Sequence, residues 1–112
     1  MPHIIIEHSD NLGSKDQLKN LAMDLHNTMA KQETIKIEAL KTRTHVSHNV
    51  VLGTGQKSQL LHITLLLLAG RSDELKQTFI NAISETTKPY YDPSTCSFSV
   101  EVKELETYYT EK

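Results

Sequence analysis

The sequence predicts an α+β fold made of two tandem βαβ units, giving a four-stranded sheet with both helices on one face. Three observations carry this reading. His3-Ile4-Ile5-Ile6 and His62-Ile63-Thr64-Leu65 open two halves of similar layout. In each half a strand-like run leads through a turn to a Ser-capped amphipathic helix and then to a second strand. Helical crossovers join parallel strands, so each half, about 2–46 and 59–105, reads as one βαβ unit. The 112 residues suffice for one domain, 1–112, with little to spare.

Residues Pro2 to His8 form the first strand, β-branched at its centre and ended by the polar turn Ser9-Asp10-Asn11. Ser14 opens a helix, with Gln17 as its capping-box partner. Leu18, Leu21, Ala22, Leu25 and Met29 follow at helical spacing, leaving Lys15, Asp16, Lys19 and Asp24 on the wet side. Glu33 to Ile37 is a connector, and a second strand is expected from about Glu38 to Val46. Leu40, Thr42, Thr44 and Val46 share one of its faces; Lys41, Arg43 and His45 project from the other.

Asn49 to Lys57 reads as a hairpin or loop. Its Gly53-Thr54-Gly55 lacks the Gly-rich spacing that precedes Lys-Ser/Thr in a phosphate-cradling loop. Gln59 to Leu68 is the third strand, apolar on both faces near its end. Ala69-Gly70-Arg71 is a turn, and Ser72 caps a second helix whose first turn carries Asp73 and Glu74, where the dipole favours anions. Leu75, Phe79, Ala82, Ile83 and Thr86 form the buried stripe. Lys88-Pro89 breaks the helix and Asp92-Pro93 marks another turn. The last strand, about Cys96 to Leu105, alternates Phe98, Val100 and Val102 against Ser99, Glu101 and Lys103. The tail from Glu106 is polar apart from Tyr108 and Tyr109.

Charge and composition narrow the function. A net charge of −2 without a basic run argues against nucleic acid as a partner. The longest apolar run, Leu65 to Ala69, is strand-sized, so no membrane span is expected. The N-terminus lacks a charged-then-apolar signal, and the lone Cys96 fits a reducing cytosol, so a cytoplasmic protein is expected. Cys96 itself reads as a small buried residue. Both helices on one side leave the other sheet face bare. Because strands one and three carry apolar residues on both faces, another copy of the chain is expected to cover it.

Chemistry enters at Pro2. Trimming of Met1 would leave a secondary amine there, the one proline nitrogen able to bind a proton. Burial and nearby cations both lower such an amine's pKa, toward the range where a general base works best. The competing reading is that Pro2 starts an edge strand, where a missing N–H costs nothing. Arg71 at its turn, and Lys41 with Arg43 on their strand, are cations for such a site or else a solvated turn and an edge that discourages pairing. His45 and His48 have the i, i+3 spacing of some metal sites, but no cysteine or acidic cluster accompanies them, so no metal is expected. His3 and His62 read as hydrogen-bonding interior or interface residues, and Glu7 and His8 are weak candidates for lining a pocket.

Two segments carry a resemblance. Leu68-Ala69-Gly70-Arg71-Ser72-Asp73-Glu74-Leu75-Lys76-Gln77-Thr78, with Ser84-Glu85 beyond, resembles the strand–turn–helix of 4-oxalocrotonate tautomerases. Pro2-His3-Ile4-Ile5-Ile6-Glu7-His8-Ser9-Asp10-Asn11 and Leu40-Lys41-Thr42-Arg43-Thr44-His45 are closer to 5-carboxymethyl-2-hydroxymuconate isomerase. That resemblance implies the tautomerase fold, three chains per molecule, no cofactor and a small anionic substrate. It implies Pro2 as the base that moves a proton from a dienol to a distant carbon. It implies Arg71 as a carboxylate ligand, with Arg43 retained and Lys41 standing where an arginine is usual. The tail departs from the family's basic, amide-rich ending. Two other readings share the fold: a trimer that binds an anion or partner without turnover, and hydration or decarboxylation by a cationic Pro2.

Overall fold

The computed structural model describes residues 1–112. Strand β1 (His3–Ser9) leads to helix α1 (Lys15–Ala30), then β2 (Lys41–Ser47), β3 (Gln59–Leu67), helix α2 (Asp73–Thr87) and β4 (Cys96–Glu104). The sheet order is β2-β1-β3-β4. β1 runs parallel to β2 and β3 parallel to β4, while β1 and β3 meet antiparallel, with Ile6 opposite Ile63. Each half is thus a βαβ unit, as the sequence predicts, and the halves join through their first strands. β1 therefore lies inside the sheet, which overturns the edge-strand reading of Pro2.

Both helices start where their caps dictate. Ser14 Oγ accepts from the Gln17 N–H and the Gln17 side chain accepts from the Ser14 N–H, completing the capping box. Ser72 accepts from the Leu75 N–H. Leu18, Leu21, Leu25 and Met29 of α1, with Phe79 and Ile83 of α2, pack on Ile4, Ile6, Leu61, Ile63 and Leu65 in one core. Truncating a fully buried leucine such as Leu21 to Ala would cost about 2–5 kcal/mol. Cys96 is buried in the same core, and burial pushes its thiol pKa up. No helix is long and apolar enough to cross a membrane.

Several expectations change. Ile37–Ala39 is a 3-10 turn, so β2 begins at Lys41 and runs to Ser47 rather than spanning Glu38 to Val46. β3 ends at Leu67 and β4 at Glu104, each one residue early. Asn49 to Lys57 is a loop and no hairpin, because β1 stands between β2 and β3. The α2 stripe continues through Thr87, whose hydroxyl donates to the Ile83 carbonyl at 2.7 Å, while Thr86 reaches across to Thr28 of α1. The open sheet face is mixed. Half-buried Ile5, Leu60 and Leu66 alternate there with His3, Glu7, His62 and Thr64. Polar groups on that face pair across strands: Ser47 donates to Glu7, and His62 sits between Ser99 (2.6 Å) and Glu101 (2.9 Å). The His62 hydrogen bond holds the Glu101 carboxyl below the usual range.

Candidate active site

The strand directions gather the predicted residues at one end of the sheet. β1 and β2 start there, while β3 and β4 finish there. Pro2 precedes β1, Lys41 opens β2, Arg71 follows β3, and the tail follows β4. Pro2 is buried, and its carbonyl accepts from the Lys41 N–H at 3.1 Å. The terminal amine on Met1 lies beside the same groups. Burial holds its pKa below the ordinary value; Glu111 opposes that shift, and Lys41 and Arg71 add to it.

Arg71 is anchored. Gly70, at φ 120°, makes the turn that a side chain would strain. Arg71 Nε donates to Thr34 Oγ1 at 2.9 Å, Nη2 to the Thr34 carbonyl at 3.2 Å, and Nη1 to the Leu68 carbonyl at 3.2 Å. A guanidinium has five N–H groups, so one on each terminal nitrogen stays free for a ligand oxygen. Thr34 sits at φ 72°, a left-handed conformation rare for a β-branched residue.

Arg43 reaches the cluster through His3. Its Nη1 lies 3.1 Å from His3 Nδ1. An arginine can only donate, so Nδ1 accepts and the neutral ring carries its proton on Nε2. That Nε2 is 2.9 Å from Tyr109 Oη, and the two rings meet edge-on at 5.8 Å. With its lone pair engaged, the Tyr109 hydroxyl donates to Glu111 Oε1 at 3.2 Å. Glu111 also pairs with Lys41 Nζ. Burial is the main reason that the His3 pKa is lowered, reinforced by Arg43 and Lys41. The Lys41 hydrogen bond is the main reason that the Glu111 carboxyl lies low.

The structure thus brings Pro2, Lys41, Arg43 and Arg71 to one end of the sheet. Glu7 and His8 lie elsewhere: five residues of strand put Glu7 roughly 16 Å along from Pro2. His8 faces a groove between α1 and β2 with Lys15 and Lys19. His48 pairs with Asp10 at 3.1 Å instead of joining His45. Thr34, Tyr109 and Glu111 are members that the sequence reading missed. Two adjacent tyrosines in an otherwise polar tail were a signal that the tail docks; nothing local marks Thr34. Chemically, a neutral amine amid three cations can exchange a proton with an anionic ligand while the cations hold its charge.

The sequence pattern of the family described as 5-carboxymethyl-2-hydroxymuconate isomerase matches residues 2–112. The chain is 28% identical over 110 residues to the 5-carboxymethyl-2-hydroxymuconate Delta-isomerase of Escherichia coli, covering 94% of this chain and 87% of that one. Among solved structures, a 5-carboxymethyl-2-hydroxymuconate delta-isomerase superposes with a TM-score of 0.87 at 14% identity, covering 100% of this chain and 87% of that one. A fused 4-OT described as a symmetric trimer superposes with a TM-score of 0.75 at 17% identity, covering 92% and 86%. These structural likenesses are of fold.

Proposed function

This chain belongs to the 5-carboxymethyl-2-hydroxymuconate isomerase family, and on that premise we propose a cofactor-independent keto–enol isomerase with the Pro2 amine as general base. Its substrate is an unsaturated di- or tricarboxylic acid such as 5-carboxymethyl-2-hydroxymuconate. The observation that carries this reading is the gathering of Lys41 and Arg71 around the chain's first amine, with Arg43 linked in through His3. Removal of Met1 turns the Pro2 nitrogen from an amide into a secondary amine in that environment.

The neutral amine takes the proton of the dienol hydroxyl and returns a proton to a distant carbon of the conjugated system. Arg71 binds a carboxylate through its two free N–H groups, a planar fork suited to two oxygens. Lys41 and Arg43 hold the remaining negative charge and stabilise the developing enolate. A positioned base contributes about 10²–10⁴-fold. The same cations disfavour protonated Pro2, keeping the base ready near neutrality. The similarity to a trimeric fused 4-OT supports a homotrimer, which would enclose the site and cover the open sheet face.

The test is ultraviolet-monitored ketonisation of 2-hydroxymuconate by protein whose intact mass shows Met1 removed. Catalysed ketonisation supports the proposal. Binding of the dianion without turnover would replace it with the anion-binding reading.

A further inference from the structure

The tail supplies an anion to a site whose other charged side chains are cations. Glu111 pairs with Lys41, and its pose is braced from the other side. Arg43 donates to His3, His3 to Tyr109, and Tyr109 to Glu111, so every hydrogen bond in the chain points toward the carboxylate. The tail leaves β4 under a backbone bond from the Leu105 N–H to the Leu67 carbonyl at 2.7 Å. It turns again where the Tyr109 N–H meets the Glu106 carbonyl at 3.1 Å. This path brings residue 111 back over the start of β2. Glu106, in the same tail, makes no side-chain ion pair.

We propose that Glu111 is a built-in competitor for the ligand's carboxylate: it occupies Lys41 in the resting chain, and a dicarboxylate takes Lys41 only by displacing it. The inference rests on the reading of Lys41 and Arg71 as ligand-binding cations. A tethered carboxylate acts at an effective concentration of the order of millimolar. It therefore lowers the affinity of any ligand that needs Lys41, and it recaptures the lysine as that ligand leaves. A monocarboxylate satisfied by Arg71 alone escapes the competition. Glu111 thus sets ligand affinity according to how many carboxylates the ligand carries.

The test uses trans,trans-muconate, an unsaturated dicarboxylate with no enol to turn over, and crotonate, a monocarboxylate, in calorimetric titrations of the full chain. Glu111→Gln should bind muconate about two- to fivefold more tightly, the size expected of a partly exposed ion pair. Crotonate affinity should move less. Glu106→Gln, which removes the same charge from the same tail, should match the wild type. Nuclear Overhauser contacts between His3 and Tyr109 should weaken in the wild type as muconate saturates it. Unchanged or weaker muconate binding by Glu111→Gln, equal tightening by Glu106→Gln, or no saturable binding to Glu111→Gln would each overturn the inference. Because muconate is not turned over, tightening by Glu111→Gln alone upholds it even in a protein that fails to ketonise 2-hydroxymuconate. That failure would count only against the isomerase proposal.

Discussion

Thr34 holds Arg71 with two of its own atoms, the hydroxyl on Nε at 2.9 Å and the backbone carbonyl on Nη2 at 3.2 Å, while its backbone sits at φ 72°. A β-branched residue in that region stores strain, and only its surroundings keep it there. The connector between α1 and β2 is thereby bent to aim the guanidinium. Thr34→Val removes the hydroxyl acceptor and should raise KM for a dianionic substrate by about 3–10-fold, the worth of one ordinary hydrogen bond at an exposed position. Arg71→Ala should do more, and should harm a dianion far more than a neutral enol. Steady-state kinetics on both substrates decide it. An equal loss on the two would make Arg71 a support of the fold.

The pH dependence of stability isolates His3. Burial, with Arg43 and Lys41, puts its folded-state pKa below the ordinary 6.5. The unfolded chain then binds a proton that the folded chain resists, so stability is full above pH 6.5 and is lost as pH falls through the folded value. Protonation also removes the Nδ1 acceptor that meets Arg43. His3→Gln, which cannot titrate, should show a shallower decline of Tm between pH 6.5 and 5 than the wild type. Parallel declines would show that His3 is not held neutral by its neighbours.

Assembly is the next expectation. Ile5, Leu60 and Leu66 put apolar surface on the open face, next to the paired Glu7–Ser47 and His62–Glu101 groups. A homotrimer would bury that face. Light scattering at micromolar concentration should report three chains. Leu66→Asp, which sets a charge on the apolar part of that face, should yield a folded species of lower mass. A monomeric wild type would remove the enclosure that the Pro2 chemistry requires.

Much of this fold was legible because short-range rules govern it. Ser14 with Gln17, and Ser72 before Asp73 and Glu74, marked both helix starts. The helical spacing of Leu18, Leu21, Leu25 and Met29 marked the core face of α1. The sequence alone puts the start of β2 too early because Ile37-Glu38-Ala39 has no residue that forbids an extended chain; its 3-10 turn is closed by the Lys36 and Ile37 carbonyls, which accept from the Ala39 and Leu40 N–H groups. The open face is less apolar than Ile5 and Leu66 alone suggest, because His3 and Thr64 lie opposite them across the paired strands, and strand pairing is not a local property of the sequence. Pro2, Lys41, Arg43 and Arg71 were found by type and motif. Their partners Thr34, Tyr109 and Glu111 come from segments distant along the chain, and no local periodicity specifies such contacts.

The central claim is that the Pro2 nitrogen is the base, and one comparison tests it most directly. The pH–rate profile of 2-hydroxymuconate ketonisation is measured for two preparations of verified mass, one without Met1 and one retaining it. The Met1-free protein should gain activity as pH rises through a pKa well below that of an ordinary secondary amine, because only the neutral amine accepts a proton. The Met1-bearing protein, whose Pro2 nitrogen is an amide, should be inactive at every pH while keeping the same oligomeric state. Full-rate ketonisation by the Met1-bearing protein would contradict the account, since no proline amine would be there to act.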